Sequence, residues 1–236
     1  MIEQELIEEI AKHAKEQLPR ECCGLIIVFK GRYKYIPCRN ESNGTNEFSI
    51  NPEDFSRAED MGEILYIVHS HPYTENKPST IDLVNIEKTN LPWLIINPYT
   101  KEYTVTEPSG YIAPLIGRQF FAGVLDCYTI IKDFYKQELN IELPEWERED
   151  NWWLEGKNYY LDRYIPSGFI LIKDEKIKPY DLVLMNMGSS IVNHAGIILP
   201  DGTLLHHARG RLSSRDVYSG YYRNITTHVI RHKELL

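Results

Sequence analysis

Residues 107–117, EPSGYIAPLIG, carry two prolines, two glycines and a serine with no sustained hydrophobic period. They interrupt a chain of 236 residues, and each side is long enough to bury a core of its own. The chain is therefore expected to form two domains, residues 1–108 and 113–236, joined by a linker at 109–112. Both read as mixed α/β or α+β. Upstream, Ile2, Leu6, Ile7, Ile10, Ala11, Ala14 and Leu18 recur at three- and four-residue spacing, an amphipathic helix that Pro19 stops. CGLIIVF and YKYIPC read as strands around a Lys30-Gly31 turn, and EILYIVHSH, PWLIINP and EYTVTEP as further strands. STIDLVNIEKTN reads as a helix. Downstream, Ile130, Ile131, Phe134, Tyr135 and Leu139 form a helical stripe, followed by the strands YDLVLMNM, HAGIILPDGTLLHHA and THVIRH.

Composition removes several function classes. A formal net charge of -8 argues against general nucleic-acid binding, which needs clustered Lys and Arg. No apolar run approaches the roughly 18 residues of a membrane span. The acidic amphipathic N-terminus lacks the basic and apolar regions of a secretion signal, so a cytoplasmic location is expected. Cys22, Cys23, Cys38 and Cys127 have no CxxC spacing and do not make a disulfide framework. Cys22 and Cys23 read as buried strand residues, and Cys38 carries no signal.

Residues two apart on a strand share a face, so His69 and His71 project together from the end of EILYIV. Two imidazoles and a carboxylate, with a fourth position for water, make a hydrolytic zinc site. Asp82 can supply the carboxylate. The same STID segment is also a capping box, Ser79 as N-cap and Asp82 at the third helical position. The two readings are compatible. His-x-His-Pro, then Ser79 and Asp82 at their spacings, resembles the JAMM motif of the MPN (JAB) metallopeptidases over residues 1–108, which implies an α/β/α domain. The resemblance implies His69, His71 and Asp82 as Zn2+ ligands, Glu21 of PRECCGLIIV as general base, and Ser79 as a donor to the oxyanion.

A second constellation begins at Cys127. It follows Asp126 at a helix start, where the helix dipole favours thiolate. A nucleophilic thiol needs a histidine base and a group to orient it. His194 and the pair His206-His207 are the candidates. A three-residue Pro200-Asp201-Gly202 loop with Gly202 left-handed would set His206 opposite Gly196, on the face of His194, and a two-residue loop would put His207 there instead. Proline before Asp-Gly favours the longer loop. LDCYTIIKDFY followed by NHAGIILPDGTLLHHA resembles the NlpC/P60 cysteine peptidases, a papain-like α+β fold, with Tyr128 where many members have serine. The resemblance implies Cys127 as nucleophile, His194 as base, His206 as orienting group, and peptidoglycan stem peptides as substrate.

The two domains in tandem resemble the tail-tip assembly proteins of lambda-type phages over nearly the whole chain. That implies tail-tip proteins as partners and a place in the host cytoplasm during assembly or on the virion tail tip. Two other classes compete with it: a structural or chaperone component with vestigial peptidase sites, and a non-phage cell-wall hydrolase, which would need an export signal. EWEREDNWW, with Trp146, Trp152 and Trp153, suits a substrate groove, a partner surface or a self-packed loop. Arg209, Arg211 and Arg215 suit an acidic partner or a solvated loop.

Overall fold

A computed structural model of the chain describes residues 2–173 and 176–236. It divides into two compact units, the first ending at Ile112 and the second running Ala113–Leu236. The residues expected as a linker begin on the first unit, where the backbone N–H groups of Ser109 and Tyr111 donate to Glu87 Oε1 at 2.7 and 3.0 Å.

The first unit is built on the strand order β2-β1-β3-β4-β5. Its elements run α1 (Gln4–Glu16), β1 (Cys23–Phe29), β2 (Arg32–Cys38), α2 (Pro52–Met61), β3 (Glu63–Ser70), α3 (Thr80–Thr89), β4 (Trp93–Ile96) and β5 (Tyr103–Thr106). Lys30 and Gly31 both take positive φ, 50° and 78°, the twist a two-residue hairpin needs to pair β1 with β2. β3 and β4 are parallel, and α3 makes the crossover such a pair requires. Alternation along β1 splits the core. Cys22 and Ile26 pack with Leu6, Ile7, Ile10, Ala11 and Ala14 of α1 on one face. Cys23, Leu25 and Ile27 pack with Ala58 of α2 and Ile86 of α3 on the other. The result is the α/β/α layering. Gly24 allows the close packing on the α1 side, since a Cβ there would meet the Tyr35 ring at 2.5–2.6 Å. Helix α2 lies outside the elements expected above, although its start carries readable signals: Asn51 caps Glu53 and Asp54, and Pro52 opens the helix.

The second unit is a six-stranded antiparallel sheet in the order β10-β9-β8-β7-β11-β6. Helix α4 (Cys127–Leu139) packs Ile130, Ile131, Phe134 and Tyr135 on one face of it. The remaining elements are α5 (Tyr159–Arg163), β6 (Phe169–Leu171), β7 (Leu182–Met185), β8 (His194–Ile198), β9 (Thr203–His206), β10 (Ser214–Val217), α6 (Gly220–Ile225) and β11 (Thr226–His232). Tyr218, Tyr222, Ile225 and Val229 cover Val183, Met185, Ile198 and Leu204 on the other face. The β8–β9 loop is the three-residue form. Leu199 N–H bonds Thr203 O at 2.8 Å, Gly202 has φ 79°, and Gly196 stands opposite His206.

Candidate active sites

In the first unit the site lies where β1 and β3 end together. Cys23 pairs with His69, and alternation puts Glu21, His69 and His71 on the face away from α1. Ser70 points the other way and ties the strands, its Oγ accepting from Cys22 N–H at 2.9 Å. Asp82 arrives from α3, whose capping box is formed: Ser79 N–H donates to Asp82 Oδ2 at 2.7 Å and Asp82 N–H to Ser79 Oγ at 3.3 Å. His69 Nε2 is 3.1 Å from His71 Nε2 and 3.4 Å from Asp82 Oδ1, and His71 Nε2 is 3.4 Å from Asp82 Oδ2. Ligand atoms on a tetrahedral zinc lie about 3.3 Å apart, the edge given by bonds of about 2.0–2.1 Å. The donor set thus fits a small divalent cation.

The surroundings support the same donor assignment. His71 Nδ1 lies 2.9 Å from Glu75 O, so Nδ1 carries the proton and Nε2 keeps its lone pair for a metal. His69 Nδ1 has no hydrogen-bond partner among the described residues; its ring is held by stacking on Phe48 at 4.6 Å and edge contact with Trp93 at 5.4 Å. Glu21 Oε1 is 3.9 Å from His71 Nε2, farther out than Asp82. Burial first, and then repulsion from Asp82 and Glu47, push the Glu21 carboxyl up to about 8 against the pull of His71. Burial alone would raise Asp82 as well, but hydrogen bonds from His69, His71 and Ser79 hold it far below the usual carboxylate range. Ser79 Oγ also donates to Asp82 Oδ2 at 2.6 Å. Its hydroxyl proton is thereby directed at the candidate ligand Asp82.

In the second unit Cys127 opens α4 on the Asp126 cap, whose Oδ1 accepts from Tyr128 and Thr129 N–H at 3.0 and 2.9 Å. Arg148 Nε holds Asp126 Oδ2 at 2.8 Å. Cys127 is partly exposed, and Cys22, Cys23 and Cys38 are buried. Cys127 and His194 line one cavity of about 370 Å³ with Phe120, Trp152, Trp153 and Arg209. His194 Nε2 is 2.9 Å from His206 Nδ1. A Cβ on Gly196 would meet His206 Cβ and Leu205 O at 3.0 Å, so glycine is what lets His206 lie in register there. His207 is buried away from this chain of contacts, edge-on to Phe120 at 5.2 Å, with neither ring nitrogen bonded to the described residues.

The helix terminus favours a Cys127 thiolate, whereas burial and then the neighbouring Asp126 carboxylate push the thiol up to about 11. Hydrogen bonding from Tyr160, whose hydroxyl is 3.1 Å from Sγ, only partly opposes them. Burial, then His206 and His207, push His194 down to about 3. Both shifts favour the uncharged forms of the two groups, a thiol and an imidazole on one cavity.

Residues without a readable signal complete the site. Asp216 lies 3.2 Å from His206 Nε2, brought by the short strand β10. Tyr160 comes from α5. In the tryptophan loop Trp152 lies edge-on to Trp153 at 5.6 Å and stacks on Tyr159 of α5 at 4.8 Å, and both tryptophans wall the cavity. Arg209 is paired within the unit to Asp150, at 2.5 and 2.6 Å. Tyr128 donates to Pro144 O at 2.7 Å and does not line the cavity of Cys127. No helix among the described residues is long and apolar enough to cross a membrane.

Comparison with known proteins follows this division. Residues 3–107 match the prokaryotic homologs of the JAB domain, and residues 115–231 match the NlpC/P60 family. A solved JAB1/MPN domain protein from Archaeoglobus fulgidus is similar at 21% identity over 46% of this chain and 88% of its own, with a TM-score of 0.32. Tail tip assembly protein K of Escherichia phage N15 is 36% identical over 98% of this chain and 96% of its own length. The protein of the same name from Escherichia phage lambda is 38% identical over 78% of this chain and 89% of its own. At that identity and coverage the chain belongs to the tail tip assembly protein K family, with a JAB-type unit followed by an NlpC/P60 unit.

Proposed function

We propose that the chain acts in phage tail-tip assembly as a two-site hydrolase, a thiol peptidase cleaving peptidoglycan stem peptides and a zinc-dependent JAMM-type peptidase. Tail-tip proteins are its partners, and the host cytoplasm is its place during assembly. What most supports the reading is one juxtaposition: Cys127 and His194 open on the same cavity, and His194 is hydrogen-bonded to His206. Cys127 Sγ gives its proton to His194 as it attacks the carbonyl carbon. Tyr160 O–H steadies the sulfur as charge develops, and His206 holds the His194 ring in position. Trp152 and Trp153 give the cavity an apolar wall against which a peptide can lie.

In the first unit His69, His71 and Asp82 would hold the zinc. Bound zinc supplies a water acidified to a pKa of about 7 and a polarised substrate carbonyl. Glu21 Oε1 would take and return the proton at that place. Ser79 anchors Asp82.

The test is incubation of the purified protein with muropeptides and with tail-tip proteins, read by mass spectrometry. Muropeptide cleavage that disappears in Cys127→Ala and persists in Glu21→Ala is expected. Cleavage surviving in Cys127→Ala sinks the thiol assignment, and equal loss in Glu21→Ala with fold and zinc intact sinks the division of labour.

A further inference from the structure

His206 touches His194 with one ring nitrogen and Asp216 with the other, and this arrangement determines where the protons are. A neutral imidazole has one N–H donor and one bare acceptor nitrogen, while an ionised carboxylate only accepts. Asp216 Oδ2, 3.2 Å from His206 Nε2, therefore requires the His206 proton on Nε2. His206 Nδ1 is then a bare acceptor, so the 2.9 Å contact with His194 requires His194 to donate from its own Nε2. The nitrogen of His194 left bare is Nδ1. We propose that Asp216 is a fourth, positioning member of the thiol site, which sets the tautomer of His206 and through it leaves His194 Nδ1 free to accept the Cys127 proton. The proposal rests on the thiol-peptidase reading for its function but not for its geometry.

The carboxylate is itself built into place. Ser214 stands directly opposite His206 in the β9–β10 register, and Asp216, two residues on, shares its face and reaches His206 diagonally. Ser214 Oγ donates to Asp216 Oδ1 at 3.0 Å. Tyr222 O–H donates to Oδ2 at 2.5 Å, and its ring lies edge-on to His206 at 4.9 Å. Arg211 Nη1 is 3.6 Å from Oδ2. Two hydroxyl donors and a guanidinium keep the group an anion, and hence an acceptor. Burial would raise it, but hydrogen bonds from Tyr222, His206 and Ser214 hold it below the usual carboxylate range. A partner needed only to tie β9 to β10 would not require an anion aimed at an imidazole. Without Asp216, the His206 proton is free to move to Nδ1, and His194 must then carry its own proton on Nδ1, where it cannot serve as base.

The experiment uses the full chain labelled with 15N-histidine. Long-range 1H–15N spectra at pH 7 read which ring nitrogen bears the proton, with His194→Gln and His206→Gln assigning the signals. Both His194 and His206 are expected as Nε2–H forms. In Asp216→Val, His206 should populate the Nδ1–H form, and iodoacetamide alkylation of Cys127 should slow by about tenfold to a hundredfold, by analogy with the loss of a carboxylate that orients a metal-bound histidine. Asp216→Glu should restore the Nε2–H form and most of the rate. The pH profile of alkylation should change in Asp216→Val, and is read against the other groups around the two rings: His207, Asp126, Arg211 and Tyr222. A parent His206 protonated on Nδ1, or tautomers and rate unchanged in Asp216→Val, overturns the proposal. Should that variant not fold, the parent spectrum decides alone. Loss of the peptidase reading shows separately, as muropeptide cleavage that survives Cys127→Ala.

Discussion

Asp126 does three things at once: it caps α4, pairs with Arg148 and opposes ionisation of the adjacent thiol. Asp126→Asn separates them, since asparagine caps as well as aspartate but carries no charge. Removing the carboxylate takes from Arg148, buried to 7% side-chain exposure, its nearest anionic partner, leaving Glu145 at 3.7 Å. The expected cost is about 3 kcal/mol, the lower end for breaking a buried pair, read from urea unfolding. The Cys127 thiol should ionise more readily, and alkylation at pH 8 should run several-fold faster than in the parent. The same residue sets a pH dependence. Burial would raise Asp126, but Arg148 and the helix N–H groups lower it on balance. Its stabilisation is therefore complete above the unfolded carboxylate value of about 3.9 and is lost as pH falls through the lower folded value. Acid unfolding of the second unit below about pH 4 should be less steep in Asp126→Asn, and an unchanged profile would contradict this.

At the scale of elements, the start of α3 serves the helix and the candidate metal centre with the same two side chains. Ser79 accepts the Asp82 N–H while Asp82 Oδ2 accepts both the N–H and the hydroxyl of Ser79. A free carboxylate would rotate; this one is fixed with Oδ1 toward His69. Ser79→Ala should cost the first unit about 1 kcal/mol, the usual worth of an N-cap. It should also weaken zinc binding about tenfold by releasing a ligand from its support. Calorimetric titration with zinc and thermal melting measure the two effects separately. Retained affinity alongside lost stability would reduce Ser79 to a cap. The β8–β9 hairpin shows the same economy, with Gly202 fixing the turn and Gly196 making room for the histidine that the turn brings opposite it.

At the scale of the molecule, the candidate metal donors and Glu21 fall between residues 21 and 82 and the candidate thiol machinery between Asp126 and Asp216, in different compact units. No described residue belongs to both sets. Zinc at a hundredfold over its Kd should stabilise the first unit by about 2.7 kcal/mol and leave hydrogen exchange in α4 and β8 unchanged. A chelator should leave the Cys127 alkylation rate as it was, and alkylation should leave zinc affinity as it was, as for sites without shared partners. A change in either across the chain would show coupling between them.

The sequence by itself determined what depends on short-range rules. Strand alternation placed His69 beside His71, capping chemistry placed Ser79 with Asp82 and Asp126 before Cys127, and the Pro-Asp-Gly loop favoured His206 over His207. The start of α2 at Asn51-Pro52 was equally legible by those rules. The tertiary structure decided what depends on sums over distant segments. The position of Glu21 relative to His71, the stacking of Phe48 on His69, and the arrival of Tyr160 and Asp216 all require chain pairings that no local spacing encodes. Cys127 shows the physical reason most directly. Its helix terminus, a local feature, favours the thiolate; its ionisation follows instead from burial and from the charges assembled around it, which exist only once the fold has brought them together.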